Sequence, residues 1–206
     1  MSVTQARLFV IAAPSGAGKT TLVHAMTTRH PELRFSISYT TRPKRRNEAD
    51  GVDYIFIDKP EFERLREAGE LLESATVFDN LYATSRGQVE QHLDDGYPVI
   101  LEIDWQGAAQ VRESMPECVS IFILPPSLTE LERRLRDRRT DSEEVIERRL
   151  RDAVSDIGHW QEFDYVVIND DLDQALADLE SIFAGEGGAQ ATDNEAVQRA
   201  VERIFR

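Results

Sequence analysis

A single cysteine, Cys118, excludes an internal disulfide framework, and beside an apolar run it reads as a small buried side chain rather than a nucleophile. Lysine is nearly absent: Lys19, Lys44 and Lys59 stand against 21 arginines. No apolar stretch approaches 18 residues, and no basic segment leads into a long apolar one at the N-terminus, so neither a membrane span nor a secretory leader is expected. Positive charge is scarce overall, with 24 Lys and Arg against 38 Asp and Glu and a formal net charge of -14. That balance argues against general affinity for nucleic acid or an anionic membrane surface, while leaving room for a local basic cleft. The expectation is a cytoplasmic enzyme without nucleic-acid or membrane partners. Its 206 residues suffice for one substantial core with smaller appended segments.

Against that background one segment stands out. The apolar run Leu8–Ala12 leads directly into Ala13-Pro14-Ser15-Gly16-Ala17-Gly18-Lys19-Thr20, and an amphipathic helical pattern begins at once. A buried strand that feeds a small-residue turn and then a helix N-terminus aims backbone amides at an anion. Ser15, Gly16, Ala17, Gly18, Lys19, Thr20 and Thr21 are therefore the candidate ligands of a nucleoside triphosphate. Lys19 would reach the β/γ-phosphates and Thr20 would meet Mg²⁺. Ala13 stands where this loop usually begins with glycine. The scarcity of lysine makes Lys19 unlike surface filler.

Four short apolar runs, 8–12, 98–103, 119–124 and 164–168, read as strands of one parallel sheet covered on both faces. Helical patterns at 19–29, 86–95, 106–114, 128–136, 142–158 and 171–183 separate them. This alternation predicts a doubly wound α/β core with its site at the C-terminal strand ends. Residues 36–84 break the rhythm. Phe35–Tyr39 alternates, Tyr54–Ile57 is a further candidate strand, and Glu61 to Leu72 reads as a helix, together a mostly β insertion mobile against the sheet. A second excursion, roughly 127–158, is rich in arginine and carboxylates, with Asp141 or Ser142 as helix cap. After Gly185 the chain turns small and polar. Residues 193–205 then form an amphipathic pattern, either a docked helix or a loosely held one.

The run Val99–Asp104 ends in alternating acids, and period-two geometry puts Glu102 and Asp104 on one face. Beside the phosphate loop, either carboxylate would hold Mg²⁺ directly or through water, and spacing does not choose between them. Loop and acids together indicate phosphoryl transfer or nucleotide hydrolysis. The Ser/Tyr/Arg-rich insertion offers a second-substrate site, which favours transfer.

An ordered set of blocks runs along the chain: Pro14–Lys19, Ser38-Tyr39-Thr40-Thr41-Arg42-Pro43, Gly51-Val52-Asp53-Tyr54, Leu72-Glu73, Tyr82-Ala83-Thr84-Ser85, Ile103-Asp104-Trp105-Gln106-Gly107, Ile121–Pro126 and Val167-Ile168-Asn169-Asp170. Through these blocks the chain resembles guanylate kinases over about residues 6–184. The resemblance implies a P-loop kinase with a parallel-sheet core (1–35, 86–126 and 159–184), a small mostly β GMP-binding insertion (36–85), a helical lid (127–158) and a partly helical tail (185–206). The implied reaction is reversible, Mg-dependent transfer of the ATP γ-phosphate to GMP or dGMP.

By that resemblance Ser38, Arg42, Arg45, Tyr54 and Tyr82 would bind the acceptor phosphate. Glu73 and Thr84 would read guanine, with Asp104 nearby. A carboxylate accepts from guanine N1–H and N2–H₂ together, a pattern that adenine lacks, and Thr84 would donate to O6. Arg138 and Arg149 would be the phosphate-contacting lid arginines and, with Lys19, the catalytic cations, with Arg134 a weaker third choice; Arg138 and Asn169 would also contact ATP. Asn47, Ala83, Glu102, Asp137 and Arg139 depart from the common family pattern without removing a donor or acceptor that the reaction needs. Two other readings compete: a kinase for another phosphorylated small molecule, and a kinase-like module that holds a peptide in the old nucleotide site. Glu73 with Thr84 argues against the first, and the complete phosphate loop against the second. A homodimer is compatible with the sequence, which defines no interface.

Overall fold

The computed structural model describes residues 6–46, 48–77, 79–137 and 143–205. Its core is a five-stranded, wholly parallel sheet in the order β2-β7-β1-β8-β9. The central strand β1 (Leu8–Ala12) is buried at all five positions, as an apolar strand covered on both faces must be. It pairs with β7 (Val99–Glu102) on one side and β8 (Val119–Leu124) on the other, Phe9 lying opposite Ile100 and Val119. β9 (Tyr165–Ile168) closes one edge. The other edge is β2 (Arg34–Phe35), so the expected run Phe35–Tyr39 is divided between two sheets. Phe35 pairs with Ile100 of the core, and Tyr39 pairs outside it.

One face of the sheet packs on α1 (Lys19–Arg29) and on α7 (Leu172–Phe183). There Leu22, Val23 and Met26 meet Leu176, Leu179 and Phe183, and Phe9 stacks on Phe183 at 4.0 Å. The opposite face is covered by α4 (Trp105–Ser114), α5 (Leu128–Asp137), α6 (Glu143–Ile157) and the terminal α8 (Glu195–Ile204). Val201 and Ile204 of α8 are buried against this face, so the terminal helix is docked. Cys118 is buried, and burial lifts its thiol to about 11. Among the described residues no helix is long and apolar enough to cross a membrane.

Between β2 and α3 (Arg86–Asp94) lies a second, four-stranded sheet in the order β4-β3-β6-β5. It comprises β3 (Tyr39–Thr40), β4 (Ile55–Phe56), β5 (Leu71–Val77) and β6 (Asn80–Ser85), with α2 (Lys59–Glu67) between β4 and β5. Here the structure corrects the expected helix over Glu61–Leu72. The helix begins at Lys59 behind the Asp58 cap, ends at Glu67, and gives way to Gly69 at φ +70°. Leu71 and Leu72 continue the apolar spacing of Phe62 and Leu65, yet they open a strand whose partner is β6. Register, not local propensity, decides that segment.

Candidate active site

β1 delivers the chain between its two neighbours into the Ala13–Gly18 turn. Gly16 and Gly18 adopt φ +94° and +95°, the left-handed region where a side chain is strained. Space demands glycine as well: a Cβ on Gly18 would collide with the Asn169 amide, and one on Gly16 would reach the Leu131 and Leu135 side chains at 3.0 Å. Gly18 is also the N-cap of α1 and supplies no capping side chain, whereas Asp58, Ser85, Asp104, Asp171 and Asn194 cap α2, α3, α4, α7 and α8. The first-turn amides of α1 thus have no capping acceptor and are disposed toward an anion. A small cavity lined by Pro14, Ser15, Gly16, Gly18 and Lys19–Thr21 lies there.

The back of this loop is latched from two directions. Asn169 Nδ2 donates to the Ala17 carbonyl at 2.8 Å. Arg134 donates to the Asn169 carbonyl at 2.9 Å and to Ala17 O at 3.4 Å, while Glu130 holds its Nε at 2.7 Å. The weakest lid choice from sequence therefore lies directly on the loop. Arg138, the stronger choice, and the capping candidates Asp141 and Ser142 lie outside the described residues.

At the loop's end, Lys19 Nζ donates to Ile103 O at 2.5 Å. Burial lowers its pKa, and the carboxylates of Glu102, Asp104, Glu73 and Asp156 oppose that shift. Thr20 Oγ1 donates to Glu102 Oε1 at 2.5 Å. The two strand-end acids thus take different work. Glu102 faces Thr20, whereas Asp104 caps α4 by accepting from Gly107 N at 2.8 Å and Gln106 Nε2 at 3.3 Å. Hydroxyl and carboxylate oxygens are the donors that Mg²⁺ takes, so Thr20 and Glu102 fit that ion.

The phosphate loop opens onto a cavity of about 260 Å³ that gathers Ser15, Lys19, Ser38, Arg45, Tyr54, Glu73, Tyr82, Glu102, Asp104 and Arg149. Residues from 15 to 149 along the chain meet there because β5 packs against α4, the helix that follows β7 directly. Glu73, on β5, is 4% exposed, and Thr84, on β6, is fully buried; Thr84 Oγ1 donates to Glu73 Oε1 at 2.8 Å. Burial pushes the Glu73 carboxyl up to about 7, with the Asp104 charge adding to it. The Thr84 hydroxyl proton is committed to Glu73 rather than free for an acceptor base.

Two residues without an assigned role from sequence hold this pair. Gly107, in the first turn of α4, lies so close that a Cβ there would stand 2.5 Å from Glu73 Oε2. Gln110, one turn on, clasps the backbone of Ser74 from both sides, accepting from its N–H at 3.0 Å and donating to its carbonyl at 2.8 Å. Both lie more than 30 residues from Glu73, so sequence spacing carried no signal of their contact.

Arg42 does not line the cavity. Its guanidinium sits behind Tyr54 and Tyr82, 5.3 Å from the Tyr54 ring centre, gripped at both ends by Glu48 at 2.7 and 3.1 Å. Its Nε donates to the Tyr82 hydroxyl at 3.3 Å. Tyr54 and Tyr82 meet edge to face at 5.9 Å, and burial raises the Tyr54 phenol. Glu48, unassigned from sequence, was hidden in a polar turn.

The family model described as guanylate kinase matches residues 5–186. A guanylate kinase of Alkalilimnicola ehrlichii is 55% identical over 176 residues, which cover 85% of this chain and 87% of that protein. One of Pseudomonas syringae pv. tomato is 53% identical over 206 residues, with 96% of each chain covered. Among solved structures, a guanylate kinase from Anaplasma phagocytophilum superposes with a TM-score of 0.73 at 33% identity, covering 97% of this chain and 95% of that one.

Proposed function

The chain belongs to the guanylate kinase family, and from that premise we propose that its cleft moves the γ-phosphoryl group of ATP to GMP or dGMP, reversibly, giving ADP and GDP or dGDP. The observation that carries the acceptor's identity is the buried Glu73 carboxylate, which lines the same cavity as Lys19 and is held from behind by Thr84. An ionised Glu73 accepts from guanine N1–H and N2–H₂. Adenine offers an acceptor at N1, so it would leave the buried acid unsatisfied.

In this reading the Gly16–Thr21 amides and Lys19 hold the ATP phosphates, and Asn169 with Arg134 keeps the loop in shape for them. Ser38, Arg45, Tyr54 and Tyr82 surround the acceptor phosphate, with Arg42 behind the two tyrosines. Glu102 and Thr20 would hold Mg²⁺, which would offset the charge of the transferring phosphates. Lys19, with Arg149 across the cavity, meets charge that develops on the phosphoryl oxygens, and Arg138 belongs with them by family pattern. No side chain is required as a strong base, because positioning and charge neutralisation do most of the work in such transfers. In this reading the enzyme is cytoplasmic, with ATP and GMP taken from solution.

The test is direct. Purified protein given Mg-ATP releases ADP when GMP is added and yields GDP in equal amount. Absence of GMP-dependent ADP release would overturn the proposal.

A further inference from the structure

Glu48 makes more bonds than a turn residue on the surface needs. Its carboxylate takes both terminal nitrogens of Arg42, and its Oε2 also accepts from the Arg45 backbone N–H at 2.8 Å. Its own N–H donates back to Arg45 O at 3.2 Å. The Arg42 and Glu48 side chains are 13% and 11% exposed, so this is a shielded, two-pronged pair rather than a solvated one. Neutral Tyr54, Phe56 and Tyr82 pack around the guanidinium.

A guanidinium has five N–H donors. Glu48 takes two, the Pro43 carbonyl one and the Tyr82 hydroxyl one, which leaves one on Nη2 uncommitted among the described residues. Arg42 is therefore held in one orientation, and through it the Tyr82 hydroxyl on the cavity wall is held as well.

We propose that Glu48 is the positioning residue of the acceptor-phosphate site. It fixes Arg42, through Arg42 holds the Tyr82 hydroxyl on the cavity wall, and pins the turn that presents Arg45. This rests on the acceptor assignment above. The charge of Glu48 makes the inference sharp: a carboxylate close to a phosphate dianion repels it, so its contribution must come through geometry. Removing the charge would tighten GMP binding if Glu48 were merely a competitor for Arg42, and weaken it if Glu48 positions.

The experiment uses the full chain, with GMP and guanosine binding measured by calorimetry and steady-state kinetics for GMP and ATP. Glu48→Gln raises the GMP dissociation constant and KM by about 10-fold, the size expected when one charge-assisted contact is disordered. Guanosine affinity and KM for ATP change little. Glu48→Asp, which keeps the charge but shortens the reach, falls between wild type and Glu48→Gln. In an Arg42→Ala background the Glu48→Gln change has much less effect, because the two act as one unit. Equal weakening of GMP and guanosine, unchanged GMP binding, or tighter GMP binding would each overturn the positioning role. Wild-type protein that binds no GMP would overturn the acceptor assignment and this inference together.

Discussion

Thr84 Oγ1 donates to the Glu73 carboxylate across the β5–β6 hairpin, and both side chains are buried where β5 packs on α4. The acid that would read the base is therefore oriented before any ligand arrives. Because the Thr84 proton is spent on this bond, Thr84 acts first as the support of Glu73. Discrimination between bases then rests mainly on the carboxylate.

Proton linkage at Glu73 gives the first prediction. Its carboxyl is raised from 4.5 to about 7 by burial, and only the ionised form accepts both guanine N–H groups. KM for GMP therefore falls as pH rises through about 7, while KM for ATP shows no matching trend. Stability moves the opposite way. The folded state holds the Glu73 proton that the unfolded chain has lost above pH 4.5, so this contribution is full at low pH and is lost as pH climbs through 7. Glu73→Gln should remove that trend. The difference in unfolding free energy between the variant and wild type, read from denaturant titrations, should shift in the variant's favour from pH 5 to pH 8, by no more than about 3 kcal/mol.

Gly107→Ala tests the wall behind Glu73. In an ordinary helix the change would add roughly 0.5–1 kcal/mol of stability. Here the new Cβ meets Glu73 Oε2 and must displace it. Expected is a rise of about 10-fold or more in KM for GMP with KM for ATP nearly unchanged, the loss of one well-placed charged hydrogen bond. Initial rates at varied GMP and ATP decide it.

Arg134→Ala tests the latch behind the phosphate loop. Two of its bonds, to Ala17 O and Asn169 O, hold the carbonyl side of the loop whose amides face the phosphates. Their loss should raise KM for ATP by about 5- to 10-fold and leave KM for GMP close to wild type. A change confined to GMP would contradict the assignment.

Lys19→Ala removes the half-buried lysine that lines the cavity. kcat should drop by about 10²–10³, the usual loss when a preorganised charge partner is deleted from a water-poor site. Guanosine and GMP binding, followed by calorimetry, should survive.

Much of this architecture was legible from residue pattern because its causes are local. β1 is a continuous apolar run since both its faces are covered, and the turn after it needs glycines for positive φ. Helices α1, α3 and α7 begin and end within a residue of the spacing-based expectation. The hairpin β5–β6 was hidden because Leu71 and Leu72 extend a helical apolar period and only their distant partner makes them a strand. Glu73, Thr84, Lys19, Arg45 and Tyr54 were nameable from the ordered motif blocks, and the structure brings them to one cavity or its wall. Glu48, Gly107 and Gln110 were not, since each acts through a partner that only the folded chain supplies. The placement of Arg42 behind the tyrosines likewise depends on three-dimensional packing.

The most direct test compares kcat/KM for GMP and AMP, with saturating Mg-ATP, in wild type and Glu73→Gln. Wild type should prefer GMP by several orders of magnitude, as expected where a mismatched base strands buried polar groups. Glu73→Gln should lose about 10- to 100-fold with GMP and gain nothing comparable with AMP, so the preference shrinks from the GMP side. An unchanged GMP rate in the variant, or a wild-type enzyme that accepts AMP as readily as GMP, would contradict the central claim that the buried Glu73 carboxylate reads guanine.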